Sequence, residues 1–317
     1  MGLSILGALL PVMLVVGIGW AVARRGWVQH SSVKDISNLV FFVLLPALLF
    51  RTMANVSVSE LDFYPVGIYF LAAFIVFGGT IAVYGFNTVA AARGLAHVFS
   101  NIVMVGVPMV SLFYGEQGLV PLFTLVTVHA LVLMSSATII FELAAAREHA
   151  RDSADRAESL VRTLWQAVRN SLVHPVPLPI IAGILYAWSG HELPGVVDKS
   201  LQMLGAAMGP MALLLVGMTL GYARIGRTWR DSLRTALIKC LLQPFVFFCC
   251  AFVLGARGQT IVVLLLCAAL PIGANVLLFT MRYGVAQEEV IASVALSTIV
   301  ALVCIPIVTL VLAPLLL

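Results

Sequence analysis

The chain is a succession of apolar runs, each as long as a helix that crosses a lipid bilayer. A hydrocarbon core takes about 20 apolar residues of helix. The first run, Leu3 to Ala23, has no basic residue before it and is followed by Arg24 and Arg25, so it is interpreted as a span rather than a signal peptide. Ten such runs predict spans at 3–23, 36–54, 64–90, 95–114, 118–144, 173–190, 200–222, 233–254, 259–282 and 288–316.

The composition excludes a soluble fold. Of the 317 residues, 62% are hydrophobic and only 10% are charged, which is too little charge to cover a soluble core. The cysteines all lie in apolar runs, so they indicate neither a disulfide framework nor a metal site. The net charge of +4 follows from membrane topology and does not indicate nucleic-acid binding. We therefore predict an all-α polytopic membrane protein whose surroundings are the lipid bilayer.

The distribution of Lys and Arg predicts the orientation of the chain. When the N-terminus is placed outside, most basic residues fall in the inner loops and few in the outer loops. Such a bias sets the orientation of membrane proteins. Lys239 falls inside the eighth span, near its inner end by this count. The sequence thus predicts a bacterial inner-membrane protein with both termini outside, in the periplasm.

A polar stretch at residues 147–170 separates two halves with five predicted spans each. It contains opposite charges at helical spacing, followed by an apolar face, which predicts a short amphipathic helix on the inner surface. We interpret this stretch as a cytoplasmic linker. The first five-helix repeat is then 1–146 and the second is 171–317.

The two halves share sequence features in the same order. Pro46 in the second span corresponds to Pro210 in the seventh. Because each half has an odd number of spans, the two copies would have opposite orientations in the membrane. An inverted repeat of this kind is common in secondary transporters. The fourth and ninth spans also share a closing Tyr-Gly pair, Tyr114-Gly115 and Tyr283-Gly284.

Each half also contains one apolar run that is interrupted by helix-breaking residues. The fourth span reads NIVMVGVPMVSLFYG, and the ninth contains LPIGANVLLFT. Proline removes a backbone donor, glycine permits close approach, and asparagine can cap backbone groups or bind a substrate. Irregular backbone at membrane depth is tolerated only where it is buried in protein or lines a wet cavity. We predict that the spans cross and bind substrate through Asn101, Gly106, Val107, Pro108, Pro271, Gly273, Ala274 and Asn275.

A simple proline kink in each span is the alternative to such a site. Three further polar residues are candidates for coupling or for lining a cavity: Ser100, His129 in the fifth span, and Gln243 beside a proline in the eighth. No carboxylate lies at the centre of a predicted span, which disfavours a proton relay built on Asp or Glu. Proton coupling through His129, sodium held by carbonyls and amides, and uniport stay open, and no other cofactor is predicted.

At these residues the sequence resembles the auxin efflux carrier family, in its bacterial branch. The resemblance is carried by LLPALLF in the second span, Asn101 with Gly106-Val107-Pro108, and Pro271 through GANVLLF to Tyr283-Gly284. It implies a ten-helix, 5+5 inverted-repeat fold with crossed broken helices 4 and 9, similar to that of bile-acid symporters and NhaA. Ser100 is a departure, because the family often has proline before the asparagine.

The resemblance also implies how such a chain works. It implies a scaffold of spans 1, 2, 6 and 7, a transport domain of spans 3–5 and 8–10, elevator-type alternating access, and a homodimer. The substrates would be small organic anions: mono- or dicarboxylates such as malonate or malate, or auxin-like acids. A half-helix N-terminus is a suitable partner for such a carboxylate.

Other functions remain as alternatives to secondary active transport. A channel or uniporter for small solutes is one, although no continuous polar face of the kind that a channel needs is found along the spans. A membrane sensor that does not transport is another. An enzyme is not predicted, because the sequence contains no HExxH motif, no GxSxG motif and no pair of intramembrane aspartates.

Overall fold

The computed structural model describes residues 2–55, 62–148, 177–222 and 226–317. Within these ranges the chain is helical, and the only β-type pairing is one isolated bridge. The all-α prediction is therefore confirmed for the described residues. The helices are α1 Gly2–Arg24, α2 His30–Ala54, α3 Tyr64–Tyr84, α4 Thr88–Val98, α5 Val107–Glu148, α6 Pro177–Trp188, α7 Gly195–Tyr222, α8 Trp229–Val253, α9 Gln259–Ala269, α10 Val276–Tyr283 and α11 Gln287–Val311.

Six helices in the described part of the chain are long and apolar enough to cross a membrane. They are His30–Ala54, Tyr64–Tyr84, Ile102–Ala145, Gly195–Tyr222, Trp229–Val253 and Gln287–Leu315. Three shorter apolar helices accompany them, at Met13–Arg24, Leu178–Trp188 and Gln259–Ala269. Large apolar side chains such as Phe42, Val83 and Val253 are exposed on the outer surface, as expected where that surface meets lipid. These are the properties of a multi-pass membrane protein.

The predicted boundary between the third and fourth spans is wrong. The sequence predicts spans at 64–90 and 95–114, whereas α3 ends before Gly85 and α4 begins directly after Asn87. Gly85 has a φ of 84°, a conformation that glycine adopts readily. The side-chain oxygen of Asn87 accepts a hydrogen bond from the N–H of Ala90 at 2.8 Å and so caps α4. The apolar composition on both sides conceals this break.

Three helices contain or follow a π-helical turn, and one of them also has a break. A π turn at Ile102–Gly106 leads into α5, and α2 and α8 contain π turns at Val40–Leu44 and Ile238–Leu242. Gly115, with φ 64° and ψ −158°, interrupts α5. π turns of this kind occur frequently at functional sites.

The amphipathic helix predicted for the linker lies outside the described residues. Helix α5 continues to Glu148 at the start of that stretch, and the description resumes at Pro177. The predicted linker at 147–170 therefore stays a prediction beyond its first two residues.

Helices α4 and α9 lie in the interior of the protein. Every residue of α9 from Ile261 to Ala269 is buried, and α4 buries its alanines together with Leu95 and Val98. Helix α9 is apolar all round from Ile261 to Ala269, and such a helix is expected to be enclosed by other helices. Both short helices therefore end inside the protein, away from lipid.

The remaining helices form two packed groups around this interior. Helix α1 packs along α7, and α2 packs against α6 and α7. Helix α3 packs against α4 and α8, while α9 contacts α3, α5, α8 and α11. Helix α5 contacts α7 and so connects the two groups.

Candidate functional site

The two interruptions predicted from the sequence lie side by side in the interior. The N–H of Asn101 donates to the carbonyl oxygen of Pro271 at 2.8 Å, and the N–H of Gly273 donates to that of Phe99 at 2.8 Å. Together they form a short antiparallel bridge. These bonds satisfy backbone groups that the helix ends leave without intrahelical partners. The structure thus brings the two segments into direct backbone contact inside the protein.

The close approach of the two segments depends on their glycines. A Cβ atom on Gly273 would lie 2.7 Å from Cδ1 of Phe99 and 3.1 Å from the carbonyl oxygen of Ser100. A Cβ atom on Gly106 would lie 2.7 Å from Cδ1 of Leu270. Carbon atoms that are not bonded prefer separations of about 3.5–4.0 Å, so a side chain at Gly273 would push the segments apart, and one at Gly106 would displace the end of the Leu270 side chain.

Two side chains of α8 cap the C-terminal ends of the interrupted helices. Nε2 of Gln243 donates to the carbonyl oxygen of Val98, at the end of α4, at 3.2 Å. Nζ of Lys239 donates to the carbonyl oxygens of Ala268 and Leu270, at the end of α9, at 2.7 and 2.8 Å. Lys239 and Gln243 are four residues apart and both are buried. Because a helix C-terminus carries partial negative charge, a hydrogen-bond donor stabilises the C-terminal ends of both α4 and α9.

The role of Lys239 was not predicted from the sequence. The sequence places it near the inner end of a span, whereas the structure places it at the crossing, with none of its surface exposed. Its charge was a signal in itself, because an ionisable residue within a membrane helix is costly and marks a functional candidate. The count of basic residues by side set Lys239 apart as lying within the eighth span, but no role was assigned to it there.

A buried polar network connects the crossing to the middle of α5. Oη of Tyr69 lies 2.9 Å from Oγ of Ser100 and 3.4 Å from Nε2 of His129, and Nε2 of Gln243 lies 3.5 Å from the same Oη. The ring of His129 also packs against Phe99, with 4.8 Å between centroids. The three candidates Ser100, His129 and Gln243 therefore belong to one network. Tyr69 at its centre was missed, because an aromatic residue in an apolar helix is ordinary packing.

A cavity of about 1270 Å³ lies beside the crossing. It extends to the end of the molecule where α2 begins and α7 ends, because its lining includes His30 and Tyr222. Cavities that bind small molecules are typically apolar with a few convergent polar groups, and this lining has that character. Six residues predicted from the sequence line it: Ser100, Asn101, His129, Gly273, Ala274 and Asn275.

The other five predicted residues lie near the crossing but do not line this cavity: Gly106, Val107, Pro108, Pro271 and Gln243. Gly106, Val107 and Pro271 are buried in the packing between segments. Pro108 faces α7, since a Cβ atom added to Gly209 on α7 would lie 3.5 Å from the Cβ atom of Pro108. These residues shape the crossing rather than the wall of the cavity.

The charged groups on the cavity wall are basic. Lys34 and Arg282 line it, and no Asp or Glu is among the lining residues that the structure describes. Arg282 is partly compensated by Glu142, at 3.7 Å. A cavity lined by charges of one sign concentrates ions of the opposite sign. The electrostatics of this cavity therefore favour an anionic ligand.

The two predicted asparagines differ in the bonds that their side chains make. Oδ1 of Asn101 accepts a hydrogen bond from the N–H of Met104 at 3.3 Å and caps the turn that follows. Asn275 begins α10, and its side chain makes no capping bond there. Gly273, Ala274 and Asn275 place the N-terminus of α10 on the cavity wall. A helix N-terminus with a free amide beside it is suited to a carboxylate.

Ion pairs join helices at the end of the molecule opposite the cavity mouth. Nε and Nη2 of Arg51, near the end of α2, donate to Oδ1 and Oδ2 of Asp198, in the first turn of α7, at 2.7 and 3.2 Å. Nη1 of Arg51 also donates to Glu116, just after the break in α5, at 3.2 Å. These contacts hold α2, α5 and α7 together at that end.

A second ion pair anchors α4 to α11. Nε and Nη2 of Arg93 donate to Oε1 and Oε2 of Glu289, both at 2.8 Å. Oγ1 of Thr235 on α8 lies 3.5 Å from the same carboxylate. The interrupted helix α4 is thus held by side chains from helices far away in sequence.

Comparison with known proteins shows that this chain is similar to membrane transport proteins. A family model described as "Membrane transport protein" matches residues 4–309. A protein described as "Putative malonate transporter" from Rhizobium meliloti is 26% identical over 310 residues, which is 94% of this chain and 92% of that protein. Auxin efflux carrier component 8 of Arabidopsis thaliana is 24% identical over 242 residues, 65% of this chain and 66% of its own. An "Uncharacterized transporter" from Methanothermobacter thermautotrophicus is 22% identical over 311 residues, 94% of this chain and 95% of its own.

Proposed function

Because this chain belongs to the membrane transport protein family, the family of the auxin efflux carriers, we propose that it is a secondary active transporter of small organic anions. The substrates are mono- or dicarboxylates such as malonate or malate, or auxin-like acids. The observation that carries this proposal is the cavity beside the crossing, whose described lining contains Lys34 and Arg282 but no carboxylate. The names of the malonate and auxin relatives point to the same class of substrate.

The carboxylate of the substrate binds at the N-terminus of α10. Asn275 supplies an amide donor there, and the first backbone N–H groups of α10 supply the positive end of its dipole. Asn101 also lines the cavity. This arrangement favours a negative group over a neutral one, because the amide of Asn275 and the backbone N–H groups of α10 both offer hydrogen-bond donors in an enclosed site.

The proposal includes ten membrane spans in two inverted halves. Helix α4 with the first part of α5 forms the interrupted span of one half, and α9 with α10 forms that of the other. The pairing of Asn101 with Pro271 and of Gly273 with Phe99 supports this assignment, because it relates the two breaks to each other.

Elevator-type alternating access is the proposed mechanism. Helices α1, α2, α6 and α7 pack on one another and are the scaffold in this proposal, and the other helices carry the site. The cavity opens at one end, while Arg51 holds α2 to Asp198 and Glu116 at the opposite end. With the N-terminus outside, this conformation faces the cytoplasm. Movement of the site past the scaffold breaks the contact between Arg51 and Glu116, because α5 belongs to the moving group.

Uptake of labelled malonate and malate into proteoliposomes tests the function. We expect saturable uptake that is stimulated by unlabelled substrate on the opposite side. Asn275→Ala removes a donor to the carboxylate and is expected to lower the flux by about tenfold or more, which corresponds to a hydrogen bond to a charged group. Its thermal unfolding stays that of the wild type, because Asn275 makes no capping bond.

The matched control is Asn55→Ala. Asn55 is exposed and donates only to the backbone of Arg51, outside the cavity, so its loss leaves the flux unchanged. A folded Asn275→Ala protein with wild-type flux would refute the site. A flux that increases linearly with concentration and shows no stimulation from the opposite side would indicate a channel instead.

A further inference from the structure

We propose that the ammonium group of Lys239 is a built-in cation, which takes the place that a dissolved coupling cation would occupy at the crossing. The proposal deepens the transport function proposed above and rests on it. It predicts that anion transport by this chain requires no sodium ion. The observation behind it is the capping of the α9 C-terminus by the fully buried Lys239 side chain, whose nitrogen donates to two backbone carbonyl oxygens.

The place that Lys239 occupies is one that attracts cations. In transporters with broken helices, unwound backbone carbonyls and half-helix C-termini are the groups that coordinate Na⁺. Here the corresponding groups are the carbonyl oxygens of Ala268 and Leu270, where α9 ends and the extended segment begins. Both already accept a hydrogen bond from Nζ of Lys239.

The distances are those of charge-assisted hydrogen bonds. Nζ lies 2.7 Å from the oxygen of Ala268 and 2.8 Å from that of Leu270. Hydrogen bonds with a charged donor are typically about 2.7–2.9 Å long and stronger than neutral ones. A buried charge without such partners would cost several kcal/mol. The negative end of the α9 dipole adds to the compensation.

Three arginines in the described part of the chain form ion pairs with acidic side chains, and Lys239 differs from them. Arg51, Arg93 and Arg282 each face a carboxylate, whereas Lys239 forms no ion pair with a described residue and donates its hydrogen bonds to backbone carbonyls. Its charge is therefore not neutralised by an acid. It stays available to raise the electrostatic potential of the crossing, where the proposed anion binds.

The other interruption provides an internal comparison. Gln243, on the same helix, caps the end of α4 with a neutral amide in place of a charge. One C-terminal end therefore receives a neutral hydrogen-bond donor, and the other receives a donor that carries a positive charge when it is protonated. The difference indicates that charge, rather than hydrogen bonding, distinguishes Lys239.

The experiment compares wild type with Lys239→Gln and Lys239→Arg in sodium chloride and in choline chloride, each at about 100 mM so that screening is equal. Gln keeps a donor but removes the charge, whereas Arg keeps the charge. Lys199→Gln is the matched control, because Lys199 is exposed and donates only to Gln202. Two quantities are measured: the thermal unfolding temperature without substrate, and malonate counterflow in proteoliposomes.

We expect the wild type, Lys199→Gln and Lys239→Arg to show the same unfolding temperature and flux in both salts. Lys239→Gln is expected to lose about tenfold or more of its flux in choline, and sodium is expected to restore part of that flux and to raise the unfolding temperature, because the ion then occupies the vacated carbonyls. Folding of Lys239→Gln in sodium but not in choline supports the proposal equally.

Several results would overturn it. A wild-type flux that depends on sodium excludes a built-in cation. If Lys239→Gln folds but neither its flux nor its unfolding temperature responds to sodium, a dissolved cation cannot replace Lys239, and the proposal is wrong. If Lys239→Gln folds in neither salt, the flux of Lys239→Arg tests the proposal. A flux of Lys239→Arg that depends on sodium contradicts the proposal, and one that does not depend on sodium supports it. The unfolding measurement needs no substrate, so a failure of the transport function is distinguished from a failure of this proposal.

Discussion

The interruption at residues 99–106 and the interruption at residues 270–275 meet each other, but they are completed by different chemistry. The first follows α4, whose end is capped by the amide of Gln243, and its own Asn101 caps the turn that leads into α5. The second follows α9, whose end is capped by Lys239, and it leads into a short helix, α10, that starts without a side-chain cap at Asn275.

This difference suggests different roles for the two segments, one mainly structural and the other in substrate binding. A segment whose polar groups are already satisfied within the protein has little to offer a ligand, whereas one with free donors at a cavity does. In the first interruption Oδ1 of Asn101 already caps the following turn, so we assign this segment the larger structural role. Both interruptions line the cavity, at residues 99–104 and 273–275, and the second also brings to it the N-terminus of α10, where Asn275 makes no capping bond.

The largest expected effect concerns the anchor of the first interrupted helix. Glu289→Ala removes the carboxylate that accepts two hydrogen bonds from Arg93 and leaves a mostly buried guanidinium unpaired. We expect a loss of about 3 kcal/mol in the free energy of unfolding, measured by chemical denaturation in detergent. Arg282→Ala is the control, because its contact with Glu142 is 3.7 Å long and 55% of the Arg282 side chain is exposed, so about 1 kcal/mol or less is expected. Equal losses in the two variants would contradict the anchoring role.

The next effect distinguishes the two glycines of the crossing. In Gly273→Ala the new methyl group meets the ring of Phe99 and the backbone oxygen of Ser100, which cannot easily move. Overpacking of this kind costs about 1–3 kcal/mol. In Gly106→Ala the methyl group meets only the tip of the Leu270 side chain, so a smaller loss is expected. Thermal unfolding of both variants measures the difference, and the reverse order would show that the pairing at Gly273 is loose.

The smallest expected effect on stability separates the two asparagines. Asn101→Ala removes a cap and should lower the free energy of unfolding by about 1 kcal/mol. Asn275→Ala should change it by about 0.5 kcal/mol or less, since no capping bond is lost. The transport assay should respond to Asn275→Ala regardless. If Asn275→Ala destabilises the protein more than Asn101→Ala, the proposed division of work between the two interruptions is wrong.

Sequence patterns were sufficient to predict the class of fold and the location of the breaks. Pro271, Gly273 and Asn275 disrupt an apolar run within five residues, and their effect on a helix is local. The boundary between the third and fourth spans was wrong, because one glycine and one asparagine between two apolar runs are a weak signal. Of the predicted site, Asn101 and Asn275 line the cavity, whereas Gly106 and Pro108 serve the packing around it.

What the sequence determined by itself is the partition of this chain into lipid-length helices and the two points where the helical pattern stops. Both depend on the hydrophobicity and backbone preferences of neighbouring residues, which a single stretch of sequence contains. Only the tertiary structure decided that Lys239 caps α9, that Gln243 caps α4, and that Tyr69 joins Ser100 to His129. Those contacts join residues on different helices, and their partners depend on how the helices pack, which no local pattern encodes.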